Sequence, residues 1–171
     1  LADLGHDVRE IDPRYPDPTM AFVPQFFGGI RTESDAVEHF GLLEKRTRET
    51  YRLGSWVTPK VMEKALRAGE VVADKANRVF DDVDVLLTPT IAHRPRRTGA
   101  LSRGGTVSAA IKAMPMVAYT ALWNVTGNPA ASVPTGIAAD GLPVAVQLVG
   151  RMADETTLLS LSAQIERARA W

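Results

Sequence analysis

A long amphipathic helix that leads directly into a strand limits the folds open to this chain. Thr58 and Pro59 signal the start of the helix, because a hydroxyl can cap the first turn and proline loses no hydrogen bond there. Apolar residues then recur every three or four positions as one stripe, which must be buried against a partner. The stripe consists of Val61, Ala65, Ala68, Val72, Ala76 and Val79. Residues 83–88 follow as a strand that ends at Pro89 and is expected to be buried on both faces over its second half. A helix that leads directly into such a strand predicts an α/β fold.

The N-terminal segment has the pattern of a helix end followed by a short strand. Gly5 is expected to be a left-handed C-cap, and residues 7–11 are expected to form the strand. Because this pattern starts inside a helix, we expect further polypeptide upstream of Leu1 in the parent protein. Three prolines within residues 12–18 predict an extended loop.

Two helices are predicted in the next part of the chain. The first covers residues 19–27 and is expected to stop at the glycine pair 28–29. Thr32 and Asp35 resemble a capping box and predict a second helix over residues 35–53. Its cations are interleaved with acidic residues, which is typical of a solvated helix face rather than of a nucleic-acid site.

A basic, glycine-rich segment predicts a loop over residues 91–106. Its arginines could contact an acidic substrate or a partner, although loops of this composition more often only connect elements. They are Arg94, Arg96, Arg97 and Arg103. Beyond this loop, a short helix is predicted over residues 106–113 and another over residues 115–125, the latter closed by Gly127.

The C-terminal part is predicted to form a hairpin and a final helix. Residues 131–137 and 143–150 have the pattern of strands, and the Asp140 and Gly141 step between them favours an antiparallel hairpin. Asp154 is expected to cap a helix with an apolar face that continues up to Trp171.

Composition excludes several classes of function. The 20 basic and 20 acidic residues give a net charge of +0, so no overall field attracts nucleic acid or an anionic membrane. The chain has no cysteine, which excludes disulfides, thiolate metal sites and a cysteine nucleophile and fits a reducing cytoplasm. The longest apolar stretch, residues 143–150, is interrupted by Gln147 and is too short to span a bilayer.

The sequence contains no recognisable set of catalytic residues. There is no Gly-x-Ser-x-Gly turn, which would hold a serine nucleophile clear of the backbone. His6, His39 and His93 are far apart and lack a metal-binding spacing, so neither a metal site nor a cofactor site is predicted.

One segment carries a resemblance that covers nearly the whole chain. Residues 119–136 contain Asn124, the Gly-Asn-Pro-Ala turn and Ser-Val-Pro-Thr-Gly, and residues 141–150 begin with Gly-Leu-Pro and contain Gln147. This segment resembles the C-terminal region of the amidase-signature family. Three shorter stretches are also similar to that family, whereas residues 19–80 match only loosely. They are residues 5–8, 84–90 and 154–159.

The resemblance implies that residues 1–171 are the C-terminal part of an amidase domain, with an α/β fold in which part of a mixed sheet is flanked by helices. Family members hydrolyse carboxylic amide C–N bonds with two serines and a lysine, all from the N-terminal part. No residue of this chain matches them, so this chain alone is expected to be inactive. The substrate-binding residues that the resemblance implies lie at the end of the first strand, in the loop after it, and at the helix end before the hairpin. They are Thr88, Thr90, Trp123, Asn124 and Thr126.

Further readings stay open. The implied partners are a small amide substrate and the remainder of the amidase chain, and a homodimer is possible, whereas nucleic acid, membrane and cofactor are not expected. A protein related to the glutamine-dependent aminoacyl-tRNA amidotransferase A subunit is one alternative, and a non-catalytic binding domain is another. The hydrolase is favoured, because Met116, Val117 and Ala118 stand where glutamine-using relatives have an acidic residue.

Overall fold

The computed structural model describes residues 1–102 and 104–168. The chain divides into two compact units. The first unit contains Leu1–Pro16, Asp74–Thr90 and the residues from Gly127 onward, and the second contains Asp17–Ala73 and Ile91–Thr126. The predictions for Arg103 and for the end of the last helix at Trp171 lie outside the described residues.

The chain contains both helices and strands, so the predicted α/β class with part of a sheet flanked by helices is confirmed. The α-helices are α1 (Thr19–Asp35), α2 (Lys45–Leu53), α3 (Pro59–Ala76), α4 (Thr106–Ala113), α5 (Ala121–Thr126) and α6 (Glu155–Ala168). The strands are β1 (Val85–Pro89), β2 (Ala130–Ile137) and β3 (Pro143–Gly150). Short 3₁₀ helices cover Ala2–Leu4, Phe40–Leu42, Gly54–Trp56, Asn77–Asp81 and Met114–Val117. Among the described helices, none is long and apolar enough to cross a membrane.

The first unit is built on a three-stranded antiparallel sheet in the order β1-β3-β2. β2 and β3 form the predicted hairpin, and Gly141 adopts a φ of 79° in its turn, a value that glycine reaches without strain. The register places Thr88, Gln147 and Ser132 side by side on the three strands. Directly opposed residues of antiparallel strands point to the same face, so these three side chains share one face of the sheet.

Helix α6 covers the opposite face of this sheet. Val133, Leu148 and Leu158 are buried together between β2, β3 and the helix. The helix is capped as predicted, because the Asp154 Oδ1 accepts hydrogen bonds from the backbone N–H of Thr157 at 3.3 Å and from its hydroxyl at 2.9 Å. A cap of this kind stabilises a helix by about 1 kcal/mol.

The second unit contains a close approach between α1 and α3. A Cβ placed on Gly28 of α1 would lie 2.1 Å from the Cε of Met62 on α3. The end of the Met62 side chain therefore occupies the space that a side chain at position 28 would take. Helix α1 also packs against α2 and α5.

Tyr51 ties α2 to the end of α1. Its hydroxyl donates to the Asp35 Oδ1 at 2.7 Å, and this hydrogen bond raises the pKa of Tyr51 above its ordinary value. The guanidinium carbon of Arg31 lies 4.4 Å from the centroid of the Tyr51 ring, and its Nη1 donates to the Tyr51 carbonyl at 3.0 Å. The α1–α2 junction is therefore fixed by polar and aromatic contacts together.

Several predicted helix signals are confirmed. Gly5 has a φ of 90° and Gly127 a φ of 75°, as expected for left-handed caps. The Thr58 Oγ1 accepts a hydrogen bond from the N–H of Val61 at 3.3 Å at the start of α3. Three residues of the predicted stripe on and after that helix are at most 8% exposed, namely Ala65, Val72 and Ala76.

The predicted helix boundaries in the second unit are wrong. α1 passes through the glycine pair 28–29 and ends at Asp35, because its packing against α2 and α5 outweighs the roughly 1 kcal/mol that a glycine costs a helix. Thr32 and Asp35 therefore lie in the last turn of α1 and form no capping box. The second helix begins at Lys45 rather than at residue 35.

The single helix predicted over residues 115–125 is also wrong, since the 3₁₀ helix Met114–Val117 and α5 are separate. The Thr120 hydroxyl donates to the Val117 carbonyl at 3.2 Å, and its own N–H bonds the same oxygen at 3.1 Å. A hydroxyl that bonds nearby backbone in this way competes with continuous helix formation.

Two strand predictions for the first unit need correction. Residues 7–11 form no strand, and Val8 and Ile11 are 58% and 43% exposed. Strand β1 is buried at Leu86 but not at Leu87, which is 47% exposed. Leu87 lies on the face covered by α6, but this helix packs mainly on β2 and β3 and leaves the edge strand open.

Candidate functional site

The end of β1 carries the first of the predicted substrate-binding residues, Thr88. It is half-buried and lies opposite Gln147 on the neighbouring strand β3. The Gln147 Nε2 donates a hydrogen bond to the Thr88 Oγ1 at 3.2 Å. Gln147 itself is only 4% exposed, so a buried amide fixes the Thr88 hydroxyl.

Thr90 lies one residue beyond β1, and its side chain contacts a residue of β2, the strand at the other edge of the sheet. Its hydroxyl oxygen is 3.1 Å from the Oγ of Ser132 on β2. Because β3 lies between β1 and β2, Thr90 meets Ser132 across the face of β3. We call Thr88, Gln147, Ser132 and Thr90 together the polar row; it lies on the face opposite α6.

The polar row contains hydroxyl and amide groups and no charged side chain. Such groups can donate and accept hydrogen bonds and can orient a neutral ligand, but they supply neither a strong base nor a charged metal ligand. Within residues 1–102 and 104–168, no three His, Asp or Glu side chains are grouped so that they could hold a metal ion. The polar row therefore offers only uncharged hydrogen-bonding groups.

Gln147 and Ser132 belong to the polar row, although they were not predicted as site residues from the sequence. Gln147 is visible in the sequence as the one polar residue that interrupts an apolar strand. A buried amide must find hydrogen-bond partners, so such an interruption points to a polar contact inside the fold. Ser132 is exposed and gives no comparable signal.

The other three predicted substrate-binding residues lie on α5, in the second unit. Trp123 and Thr126 are buried, at 4% and 5% exposure, whereas Asn124 is exposed. The Thr126 hydroxyl donates to the Trp123 carbonyl at 3.4 Å, a contact within the helix. The structure thus brings Thr88 and Thr90 together in the first unit, and it groups Trp123, Asn124 and Thr126 in the second.

The titratable side chains with altered pKa values lie outside the polar row. Burial raises the pKa of Tyr15 to about 12. Hydrogen bonds from the hydroxyl and the N–H of Thr19 lower the pKa of Asp17. All five lysines lie exposed on helices: Lys45, Lys60, Lys64, Lys75 and Lys112.

Comparison with known proteins defines the class to which this fold belongs. The Amidase family model matches residues 41–159, which is more than half of the chain. The chain belongs to the amidase family, whose members are hydrolases, and the resemblance seen in the sequence is confirmed.

A relative from Mycobacterium tuberculosis, AmiB2, is named as an amidase and is 51% identical over 173 residues. The match covers 100% of this chain but 37% of that relative. The chain therefore spans little more than a third of the length of the relatives it matches.

Solved structures give the same result for the fold. The 6-aminohexanoate cyclic dimer hydrolase is 26% identical with a TM-score of 0.82, over 99% of this chain and 39% of that one. A bacterial aryl acylamidase of the amidase-signature family is 23% identical with a TM-score of 0.60, over 91% of this chain and 34% of that one. The latter similarity concerns the fold alone.

Proposed function

We propose that this chain forms one wall of the substrate pocket in an amidase that hydrolyses the C–N bond of small carboxylic amides. The observation that carries the proposal is the polar row, in which the hydroxyls of Thr88 and Thr90 are fixed by Gln147 and Ser132. An uncharged row of donors and acceptors suits an uncharged amide group. Trp123, Asn124 and Thr126 are proposed as further substrate contacts.

The catalytic serine pair and the lysine base are proposed to come from polypeptide outside these 171 residues. A lysine acts as a base near neutral pH only where burial or neighbouring cations lower its pKa. All five lysines of this chain are exposed, which does not favour that role. The sequence also has no serine flanked by glycines on both sides in the Gly-x-Ser-x-Gly pattern.

The test is ammonia release by the complete gene product from hexanamide, benzamide and glutamine. Hydrolysis of hexanamide or benzamide is the expected result. Release from glutamine alone would instead favour the amidotransferase-like alternative, and no release from any of the three would contradict the proposal. The 171-residue chain assayed alone is expected to be inactive, and turnover by it would contradict the placement of the catalytic groups.

Variants of the complete gene product test the polar row. Thr88→Val with Thr90→Val removes both hydroxyls at nearly constant volume and is expected to raise KM for hexanamide. Thr156→Val is the matched control, because Thr156 is an exposed threonine of α6 in the same unit. Equal KM values for the control and the double variant would exclude the row from substrate binding.

A further inference from the structure

We infer that Gln147 orients the Thr88 hydroxyl so that its hydrogen is donated to a carbonyl oxygen of the bound substrate. This inference rests on the proposed function, and it assigns to Gln147 the role of a positioning residue. Thr88 would contact the substrate, and Gln147 would act on the substrate only through Thr88.

The first step is the polarity of the contact between these two side chains. The Nε2 of a glutamine side chain can only donate, so the Thr88 Oγ1 accepts in the 3.2 Å hydrogen bond. A hydroxyl that accepts from a neighbour keeps its own hydrogen for another partner. Among the described residues, the Thr88 hydroxyl hydrogen has no protein acceptor.

The second step is the rigidity of the donor. Gln147 is 4% exposed and lies on the central strand β3, with β1 and β2 on either side. A side chain held in this way loses little further freedom when a ligand binds, so the orientation of the Thr88 hydroxyl is set in advance. Thr88 is half-buried and keeps part of its surface open to a ligand.

The third step is the chemistry of the ligand atom. Thr90 and Ser132 share one hydrogen bond at 3.1 Å, in which only one of the two hydroxyls donates. The other hydroxyl retains its hydrogen, so the row presents two such hydrogens on one face without a positive charge. Neutral donors of this kind match the carbonyl oxygen of an amide better than they match an ammonium group, which itself only donates.

Substitution of Gln147 by glutamate reverses the polarity of the contact. Burial disfavours the charged form of a carboxyl, so the variant is assayed at alkaline pH, where the new side chain is ionised and only accepts. In Gln147→Glu the Thr88 hydroxyl then donates to the carboxylate and offers only lone pairs to the substrate. We expect kcat/KM for hexanamide to fall by about tenfold, the scale of one lost hydrogen bond. Gln164→Glu on α6 is the matched control, because it makes the same chemical change in the same unit.

Two variants at Thr88 test the other side of the contact. Thr88→Val is expected to lose about tenfold in kcat/KM, whereas Thr88→Ser, which keeps the hydroxyl, should retain most of the activity. In Gln147→Glu, the further change Thr88→Val should cost little, since the two residues act through one hydrogen bond. Additive losses in the double variant would overturn the inference. Wild-type kinetics in Gln147→Glu would also overturn it, because they would show that the Gln147 amide points its Oε1 rather than its Nε2 toward Thr88.

Calorimetric titration with benzamide separates this inference from the proposed function. If the wild-type protein hydrolyses no amide, the proposed function is contradicted. The donor role of Thr88 would still be supported if Gln147→Glu and Thr88→Val bind benzamide more weakly than Thr88→Ser does. Absence of benzamide binding by the wild-type protein would overturn both. If Gln147→Glu lowers the melting temperature more than the Gln164→Glu control does, the donor role is tested by the Thr88 variants alone. Equal benzamide binding by Thr88→Val and Thr88→Ser would then overturn the inference.

Discussion

Asn128 and Asn77 are joined by a hydrogen bond in which the Asn128 Nδ2 donates to the Asn77 Oδ1 at 2.7 Å. The same nitrogen donates to the Gly150 carbonyl at 2.9 Å. One amide group therefore connects the segment after α3, the turn before β2 and the end of β3, all within the first unit. Asn128 is 7% exposed, so water does not easily replace these bonds.

Substitution of Asn128 by alanine is expected to destabilise the protein. The change removes both hydrogen bonds of this buried amide, and each is worth about 0.5–1.5 kcal/mol net. Urea denaturation monitored by circular dichroism measures the loss. Asn124→Ala is the control, because Asn124 is exposed on α5, and equal stabilities of the two variants would show that the Asn128 bonds contribute nothing net.

The glycine pair of α1 offers a matched test of close packing. Gly28→Ala places a Cβ against Met62 Cε, so the flexible end of the Met62 side chain must move and lose part of its packing. Gly29→Ala meets nothing within 4 Å and should stabilise the helix by about 0.5–1 kcal/mol. Thermal denaturation should therefore show a larger stabilisation for Gly29→Ala than for Gly28→Ala, and an equal or larger gain from Gly28→Ala would contradict the packing argument.

The sequence predicted best those features whose cause lies within a few residues. The Thr58 and Asp154 caps, the left-handed Gly127 and the Asp140–Gly141 hairpin all depend on local backbone chemistry, and all are present. Gly28 shows the opposite case. Its neighbour Met62 is 34 residues away (62 − 28), so no local signal distinguishes a packed glycine from one that ends a helix.

The candidate site was predictable only in part for the same reason. Thr88 and Thr90 stand out because they lie at the end of a strand and just beyond it, and because they match the family pattern. Their partners Gln147 and Ser132 become visible only through the strand register and through the path of the chain across β3. Position in the sheet, rather than residue type, gives these two side chains their role.

The pKa of Asp17 provides a prediction for the second unit. The Asp17 Oδ1 accepts from the Thr19 hydroxyl at 2.6 Å and from the Thr19 N–H at 2.9 Å, and these bonds lower the pKa of Asp17 below 3.8. A lowered folded-state pKa stabilises the fold above pH 3.8, and this contribution is lost as the pH falls through the folded-state pKa.

Thr19→Val removes the hydroxyl and should raise the pKa of Asp17 toward its ordinary value. Carbon-13 NMR titration of the Asp17 carboxyl measures the shift directly. Thr98→Val, in the exposed loop between β1 and α4, serves as the control. A pKa of Asp17 that is the same in both variants would show that the hydroxyl does not stabilise the carboxylate.

Trp123 separates packing from substrate contact. The side chain is 4% exposed, so Trp123→Ala should lower the free energy of unfolding by about 3–5 kcal/mol, as for other large buried side chains. Trp123→Phe keeps most of the apolar volume and should cost less.

In the complete gene product, the ratio of kcat/KM for benzamide to that for hexanamide provides the second measurement. A changed ratio in Trp123→Phe, at a temperature where the variant is fully folded, would support contact with the acyl group. An unchanged ratio together with a lower melting temperature would assign Trp123 to the core alone.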